Sequence, residues 1–275
     1  MTRALARWYL DHGRHNLPWR ATRDRWAVLV SEVMLQQTQV PRVRDAYEPF
    51  MSRFPSPQAA AEAGPGALIA AWGRLGYPRR ARRLWEAAVR ISTDGWPDDL
   101  RDLPGVGRYT AAAIGAQVDD SDVIGVEVNI RRVCERIAGS ALSDAAAEAE
   151  AVEIARPLSG RDRLLALMDI GATVCTAHQP KCVECPLRSA CATRGTLATE
   201  TRHRQARYEG SFRQRRGMVL GRLRAEGAVR TIDLDGEALA SLLDDGLAEV
   251  TRGRAHLPVA NRPRENSEAG RDRRR

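Results

Sequence analysis

The stretch Leu103-Pro-Gly-Val-Gly-Arg-Tyr-Thr110 decides the fold of this 275-residue chain. A helical pattern over 108–118 follows it. Pro104 stops the preceding helical pattern, because its ring cannot continue the hydrogen-bond ladder, and Gly105 and Gly107 permit backbone angles that other residues resist. Both glycines also leave the N–H groups of the turn open to an anion, and a helix N-terminus with free amides binds phosphate. The stretch predicts either a hairpin that binds a nucleic-acid backbone or an ordinary structural turn between two helices.

Composition limits the class of protein. The chain is long enough for one large or two to three small domains, and 43% of its residues are hydrophobic. No apolar run approaches the ~20 residues of a membrane span. The first 13 residues lack the apolar core of a signal peptide, so we expect a cytoplasmic protein that does not contact a membrane. The net charge of +8 favours an anionic partner, although the cations are arginines apart from Lys181.

Apolar residues recur with helical spacing as far as residue 200, which predicts a mainly α body. Thr38 is a candidate cap for a helix that runs to Phe54. Other helices are expected at about 24–35, 57–63, 66–73, 79–93, 108–118, 128–138, 144–158 and 161–175.

The C-terminal part has a different pattern. A basic helix over 212–227, a helix over 235–247 and a hairpin over 248–258 predict a small winged-helix-like domain within 205–262. This domain is expected either to bind DNA nonspecifically or to pack against the rest of the chain. Residues 263–275 are charged and are expected to be a disordered basic tail.

Four cysteines lie within seventeen residues and predict a metal site. Structural disulfides are rare in cytosolic proteins. Zinc sites usually combine two C-x2-C pairs, whereas only one such pair exists here, so a single loop around a compact 4Fe–4S cluster is favoured over zinc. The cluster is expected to be either redox-active or purely structural, and the fifth cysteine, Cys134, to be a buried apolar residue. The four candidate ligands are Cys175, Cys182, Cys185 and Cys191.

Glu32 lies in an otherwise apolar helix. Such a glutamate normally faces solvent, but if it faces a cleft, desolvation raises its pKa and makes it a general acid. Gln36, Gln37 and Thr38 follow at a helix junction. Their amides and hydroxyl can bind base edges or fill the gap that an extruded base leaves.

Together these features resemble the helix-hairpin-helix DNA glycosylases with an iron–sulfur loop, and most closely the MutY-type adenine DNA glycosylases. The resemblance implies a six-helix barrel from 22–128, a cluster domain from 1–21 and 129–200, and DNA in the cleft between them. The implied partner of a monomeric enzyme is a duplex with adenine opposite 8-oxoguanine or guanine. The matching motifs are Leu17-Pro-Trp-Arg20, Ser31-Glu-Val-Met-Leu-Gln-Gln-Thr-Gln-Val40, Leu75-Gly-Tyr77 with Arg80-Ala-Arg82, Leu103-Pro-Gly-Val-Gly107, Asn129-Ile-Arg-Arg-Val133, Met168-Asp-Ile-Gly-Ala172 and the cysteine loop.

By family position, Glu32 is the acid that protonates adenine N7. Tyr109 stands where bifunctional relatives carry a nucleophilic lysine, which implies hydrolysis without a strong lyase step. The family expects an aspartate where this chain has Glu127, and a glycine where it has Val128. Glutamate keeps the negative charge but is one methylene longer.

Family position also implies the residues that contact DNA. Gln37 and Tyr77 would wedge into the duplex, and Thr38 would touch the opposing base. Leu35 and Asp169 would line the adenine pocket, with core packing as the alternative for Leu35 and Tyr77. Gly105 and Gly107 would bind the backbone. The segment 205–262 is too short for the Nudix-like domain that family members commonly carry.

Three hypotheses remain open from the sequence. The first is an adenine DNA glycosylase. The second keeps the fold but changes the target base to uracil, thymine or another lesion, because Glu127 departs from the family pattern. The third is a catalytically weak DNA-binding protein with an iron–sulfur cluster.

Overall fold

A computed structural model describes residues 2–198 and 207–259. This part of the chain contains eleven α-helices and one three-stranded sheet. The helices are α1 (Thr2–His12), α2 (Arg25–Leu35), α3 (Val40–Arg53), α4 (Pro57–Trp72), α5 (Arg79–Asp94), α6 (Arg108–Asp119), α7 (Val128–Ala138), α8 (Asp144–Ile154), α9 (Gly160–Thr173), α10 (Phe212–Glu226) and α11 (Gly236–Asp244). The strands are β1 (Ala228–Arg230), β2 (Glu249–Thr251) and β3 (Arg254–His256).

The first of two hydrophobic cores is built around α2. Asp24 caps this helix by accepting a hydrogen bond from the N–H of Ala27, and every residue from Trp26 to Met34 is buried. Helices α3, α5 and α6 pack against it, and α4 packs on α3 and α5 in the same core. Because most residues of α2 are apolar, this helix is stable inside such a layer of helices.

The second core combines α1 with α7, α8 and α9. Helix α6 serves both cores, since Ile114 packs into the first, while Ala113 and Ala116 pack into the second. The N-terminal chain passes from the second core to the first between Tyr9 and Leu17. The predicted mainly α, two-lobed architecture is confirmed, and α6 lies at the junction of the lobes.

Two local features of the first core differ in detail from the sequence pattern. The segments expected at 57–63 and 66–73 form α4, which bends at Gly64, where φ is +80°. The predicted Thr38 cap is wrong, because Gln39 holds the cap position of α3 without a side-chain bond. Pro41 in the first turn has no N–H, which leaves one donor fewer to be capped. The Thr38 hydroxyl instead donates to the carbonyl oxygens of Gln36 and Leu75.

The C-terminal segment has the order helix, strand, helix and hairpin. Its antiparallel sheet has the strand order β1-β3-β2, and a turn at Arg252-Gly253 joins β2 to β3 within the expected hairpin. Apolar residues of this segment join the first core, and the N–H of Gly66 in α4 donates to the carbonyl of Pro258. The segment thus packs against the helical body.

Part of the positive charge of α10 is balanced by carboxylates inside this segment. Three of its arginines form ion pairs: Arg215 with Asp235 and Glu237, Arg216 with Asp245, and Arg222 with Glu226. The expected tail at 263–275 lies outside the described residues. No helix in the described ranges is long and apolar enough to cross a membrane.

Candidate active site

Glu32 faces the junction between the two lobes. Its side chain is buried, with 4% of the residue exposed, and its Oε1 accepts a hydrogen bond from Nε2 of Gln117 at 2.7 Å. Burial raises the pKa of Glu32 to about 7, although the Gln117 bond and the Arg20 charge lower it. The solvent-facing alternative is therefore wrong. A carboxyl group with this pKa holds a proton near neutral pH and can donate it.

Tyr109 starts α6 on the same side of the junction. Its hydroxyl donates to the sulfur of Met168 at 3.2 Å. Burial raises its pKa well above 10, and the negative charges of Glu32 and Glu127 add to this shift. The backbone of Gly125 lies against the ring, since a Cβ placed there would be 2.9 Å from Cδ2 of Tyr109. Tyr109 is thus held as a neutral phenol beside two carboxyl groups.

Glu127 occupies the cap position of α7. Its Oε1 accepts from the N–H of Ile130 at 3.1 Å, and its Oε2 accepts from the side-chain amide of Asn129 at 2.9 Å. Burial raises the pKa of Glu127, while these bonds and the charge of Arg132 counteract the rise. Its charge acts on both Glu32 and Tyr109. The structure therefore brings the three candidate catalytic residues together.

Asp169 is fully buried and accepts four hydrogen bonds. Both oxygens bind the guanidinium group of Arg20 at 2.7 Å, and Arg14 donates through its backbone N–H and its Nε. Burial acts to raise the pKa of Asp169, but the two arginines outweigh it and leave that pKa below its usual value. The carboxylate thus ties the N-terminal segment to α9, which favours a structural role over direct contact with a base.

Two exposed side chains stand on turns next to the junction. Gln37 has φ of +53° and Tyr77 has φ of +47°, in a region that side-chain-bearing residues rarely adopt. Tyr77 is 44% exposed, so it does not belong to the core. Leu35, at the end of α2, is half-buried and packs against the first core. Such strain at exposed residues marks candidate contact sites.

One buried arginine, Arg80 of the Arg80-Ala-Arg82 motif, holds both turns, a role that the sequence did not indicate. Arg80 donates to the carbonyls of Val33, Met34 and Gln36 at the end of α2, to those of Leu75 and Gly76, and to the hydroxyl of Thr38. Its guanidinium group also lies over the rings of Trp72 and Tyr77, at 5.2 and 5.5 Å. A planar group with five donors suits this position.

The hairpin is anchored next to α2. The φ of Gly105 is +83°, which favours glycine, and its carbonyl accepts from the side-chain amide of Gln36. Gly107 has φ of −95° and caps α6, and nothing lies within 4 Å of the place where its Cβ would be. The expectation of an unusual backbone angle thus holds at Gly105 alone, while Gly107 leaves the helix N-terminus open.

The four clustered cysteines line one cavity. It is enclosed by the loop after α9, and Arg136 of α7, which is 1% exposed, lies beside it and donates to the sulfur of Cys175 and the carbonyl of Thr176. None of the cysteines is in a disulfide, and within the described ranges no three Cys, His, Asp or Glu side chains are arranged to hold a single metal ion. Four thiols that line one cavity have the donor chemistry that a thiolate-bound metal or iron–sulfur group requires. The lining cysteines are Cys175, Cys182, Cys185 and Cys191.

Residues 30–157 match the family model described as "HhH-GPD superfamily base excision DNA repair protein". The adenine DNA glycosylase of Mycolicibacterium smegmatis is 42% identical, over 90% of this chain and 92% of that protein. A thymine/uracil-DNA glycosylase of Pyrobaculum aerophilum is 36% identical, over 67% of this chain and 86% of that protein. Among solved structures, a thermostable thymine-DNA glycosylase superposes with a TM-score of 0.63 at 26% identity, over 70% of this chain and 94% of the other.

Proposed function

The chain belongs to the adenine DNA glycosylases of the helix-hairpin-helix superfamily, and from this we propose that it removes adenine from mispairs with 8-oxoguanine or guanine by simple hydrolysis. The observation that carries the proposal is the buried Glu32, which can hold a proton at neutral pH beside a second carboxyl group. The proposed path of double-stranded DNA lies between the two cores. The N-terminal chain enters the first core by Leu17, so the cluster lobe ends earlier than the expected residue 21.

The first chemical step needs an acid on the departing base. When the bond between C1′ of the sugar and N9 of adenine breaks, its electron pair moves to the base, which is a poor leaving group as an anion. Glu32 donates its proton to N7, so that adenine departs neutral. Because burial raises the pKa of Glu32 to about 7, a substantial fraction of the molecules carries this proton near neutral pH.

The second requirement is negative charge near the sugar. Loss of the base leaves an oxocarbenium-like ion, and Glu127 is the carboxylate proposed to stabilise it. Its hydrogen bonds to Asn129 and Ile130 hold the carboxylate in place. Water then adds to C1′, and the proton that it releases restores Glu32.

Tyr109 favours hydrolysis over lyase chemistry. A lyase step needs an amine that forms a Schiff base with the sugar. Tyr109 has no amine, and Lys181, the single lysine of the chain, lines the cysteine cavity. Treatment of a reacting complex with borohydride should therefore trap no covalent protein–DNA adduct. A trapped adduct in good yield would contradict the monofunctional assignment.

Gln37 and Tyr77 are proposed to enter the duplex where adenine leaves, because both are exposed on strained turns. Thr38 and Leu35 lie on the same turn and at the adjoining helix end, where they would contact the opposing base and the adenine. The open N-terminus of α6, with Gly105 and Gly107 before it, is proposed to bind a backbone phosphate.

A 4Fe–4S cluster is the proposed cofactor, with Cys175, Cys182, Cys185 and Cys191 as its ligands. When bound, it would fix the loop, and it could also exchange an electron. The loop places Lys181, Arg188 and Arg194 around the same cavity. These cations suit a surface that faces a phosphate backbone.

Thymine or uracil removal is the second candidate function, because the Pyrobaculum relative of that name shares 36% identity. A panel of duplexes with adenine, thymine or uracil opposite guanine, and adenine opposite 8-oxoguanine, separates the two. The proposal expects free adenine from the 8-oxoguanine and guanine duplexes. Release of thymine or uracil at a higher rate than adenine would favour the second candidate.

A further inference from the structure

The acid Glu32 receives one hydrogen bond from the described part of the chain, and it comes from Gln117. Gln117 is itself 1% exposed and lies two helical turns after Tyr109. Tyr109, Ala113 and Gln117 follow each other at intervals of four, so they lie on one face of α6. A buried primary amide on this face is unusual, because the residues between Tyr109 and Gln117 are small or apolar apart from Thr110.

The geometry points to Gln117 as a positioning residue that holds Oε1 of Glu32 as an acceptor and leaves Oε2 to carry the proton toward the base. This inference rests on the proposed role of Glu32 as the acid. An amide N–H can only donate, so the oxygen it contacts cannot carry the acidic proton toward Gln117. Among the residues that the structure describes, no donor contacts Oε2. The proton of Glu32 is thereby assigned to one oxygen before substrate binds.

The amide can do this only if Gln117 itself is fixed. The backbone carbonyl of Gln117 accepts from Nη1 of Arg161 at 2.7 Å. The same guanidinium group binds the carbonyls of Thr22 and Arg20. Arg161 thus joins α9, the end of α6 and the segment before α2. The support for Glu32 is therefore built from both lobes.

Two other charged groups act on Glu32 and limit what can be attributed to Gln117. Arg20 lowers the pKa of Glu32, and Glu127 raises it. Tyr109 is neutral and contributes no charge at physiological pH. A substitution at Gln117 that adds no charge leaves these groups unchanged, so a shift in the titration of Glu32 would report the lost hydrogen bond.

The test is Gln117→Met, which preserves length but removes the donor. Single-turnover rates of the full chain are measured from pH 5.5 to 9 on a duplex with adenine opposite 8-oxoguanine. Because a hydrogen bond to the ionised form lowers a pKa, the alkaline limb of the profile should move up by about one pH unit. The plateau rate should fall roughly tenfold, since the carboxyl group is less well oriented.

Ser31→Ala is the matched control. The Ser31 hydroxyl is buried on α2 beside Glu32 and donates to the carbonyl of Val28. Loss of this hydroxyl changes the same helix but leaves the contacts of Glu32 intact. The alkaline limb of the pH–rate profile should therefore stay at the wild-type pH. If Gln117→Met does not fold, Gln117→Asn, which withdraws the amide by one methylene, provides the same comparison.

An alkaline limb that is unchanged, or that moves to lower pH, would overturn the inference. A move to lower pH would mean that the amide oxygen accepts the proton of Glu32. Failure of the proposed function is distinguishable, because Glu32→Gln would then retain full adenine release. If Glu32→Gln is inactive but Gln117→Met has an unshifted profile, the inference about Gln117 alone fails.

Discussion

The carboxylate of Glu127 accepts a hydrogen bond from the N–H of Ile130 at 3.1 Å and thereby caps α7. Helix caps are usually Ser, Thr, Asp or Asn. Here the longer glutamate folds back onto its own helix. This turn accommodates the extra methylene of glutamate. The negative charge that the family places on an aspartate is therefore held at the start of α7.

Two substitutions at Glu127 distinguish the catalytic effect of its negative charge from the effect of its helix cap. Glu127→Gln keeps the shape but removes the negative charge, and we expect the single-turnover rate to fall by roughly 100-fold, the scale of one lost electrostatic contact. Glu127→Asp retains the charge and a better cap, so its rate should stay within about tenfold of the wild-type rate. Rapid-quench assays on one duplex provide the comparison. Equal rates for Glu127→Gln and the wild type would remove Glu127 from the mechanism.

The buried Glu32 predicts a pH-dependent stability. Its pKa is about 7 in the folded protein, against 4.5 for an unperturbed glutamate. Between these two values the folded state binds more protons than the unfolded state, so the contribution of Glu32 to the free energy of unfolding is full below pH 4.5 and is lost as pH rises through about 7. Glu32→Gln avoids this loss, so the stability of the variant relative to the wild type should rise between pH 4.5 and pH 8 by about 3 kcal/mol.

Urea unfolding at pH 4.5 and pH 8 tests this expectation. The difference between Glu32→Gln and the wild type should be larger at pH 8. A difference that does not change with pH would show that Glu32 is not buried as described.

Arg80 offers a test of how the two exposed turns are held. Lysine keeps one charge but cannot donate to both turns at once. Arg80→Lys should therefore slow base opening roughly tenfold, the scale expected for displaced contacts, as followed by 2-aminopurine fluorescence in place of adenine. Arg79→Lys is the control, because the Arg79 side chain is 62% exposed and pairs with Asp245. Equal slowing by both variants would exclude a special role for Arg80.

The cysteine cavity gives a prediction about cofactor content. Anaerobically purified protein should be brown, absorb near ~400 nm and contain about four irons per chain. Cys182→Ser should lose most of this iron. Cys134→Ala removes the cysteine that lies fully buried in the second core and should retain it. Colourless wild-type protein with one zinc per chain would refute the cluster.

The sequence predicted the parts of the fold that depend on local pattern. The helices over 79–94 and 108–119 follow from their periodicity, and the left-handed turn at Gly105 follows from its residue type. The prediction that Thr38 caps α3 is wrong, and its hydroxyl instead accepts a hydrogen bond from Arg80. The local sequence pattern cannot reveal which distant residue will bind a given side chain.

The residues of the candidate site were likewise predicted only in part from the sequence. The motifs that resemble the adenine glycosylases brought Glu32, Tyr109 and Glu127 into consideration, and the structure places them together. Asp169 was assigned to the adenine pocket, yet its four hydrogen bonds to Arg14 and Arg20 engage both oxygens. Gln117 was missed because its partner is 85 positions away in sequence. The available sequence signal was a single glutamine among small and apolar residues, on the same helix face as Tyr109.

Adenine release from a duplex with adenine opposite 8-oxoguanine, measured under single-turnover conditions for the wild type and for Glu32→Gln, decides whether Glu32 is the acid. We expect release by the wild type and a loss of at least ~100-fold in the variant, the lower range for general acid catalysis. A duplex with adenine opposite thymine should remain intact. No release by the wild type, or equal release by Glu32→Gln, would contradict the central claim.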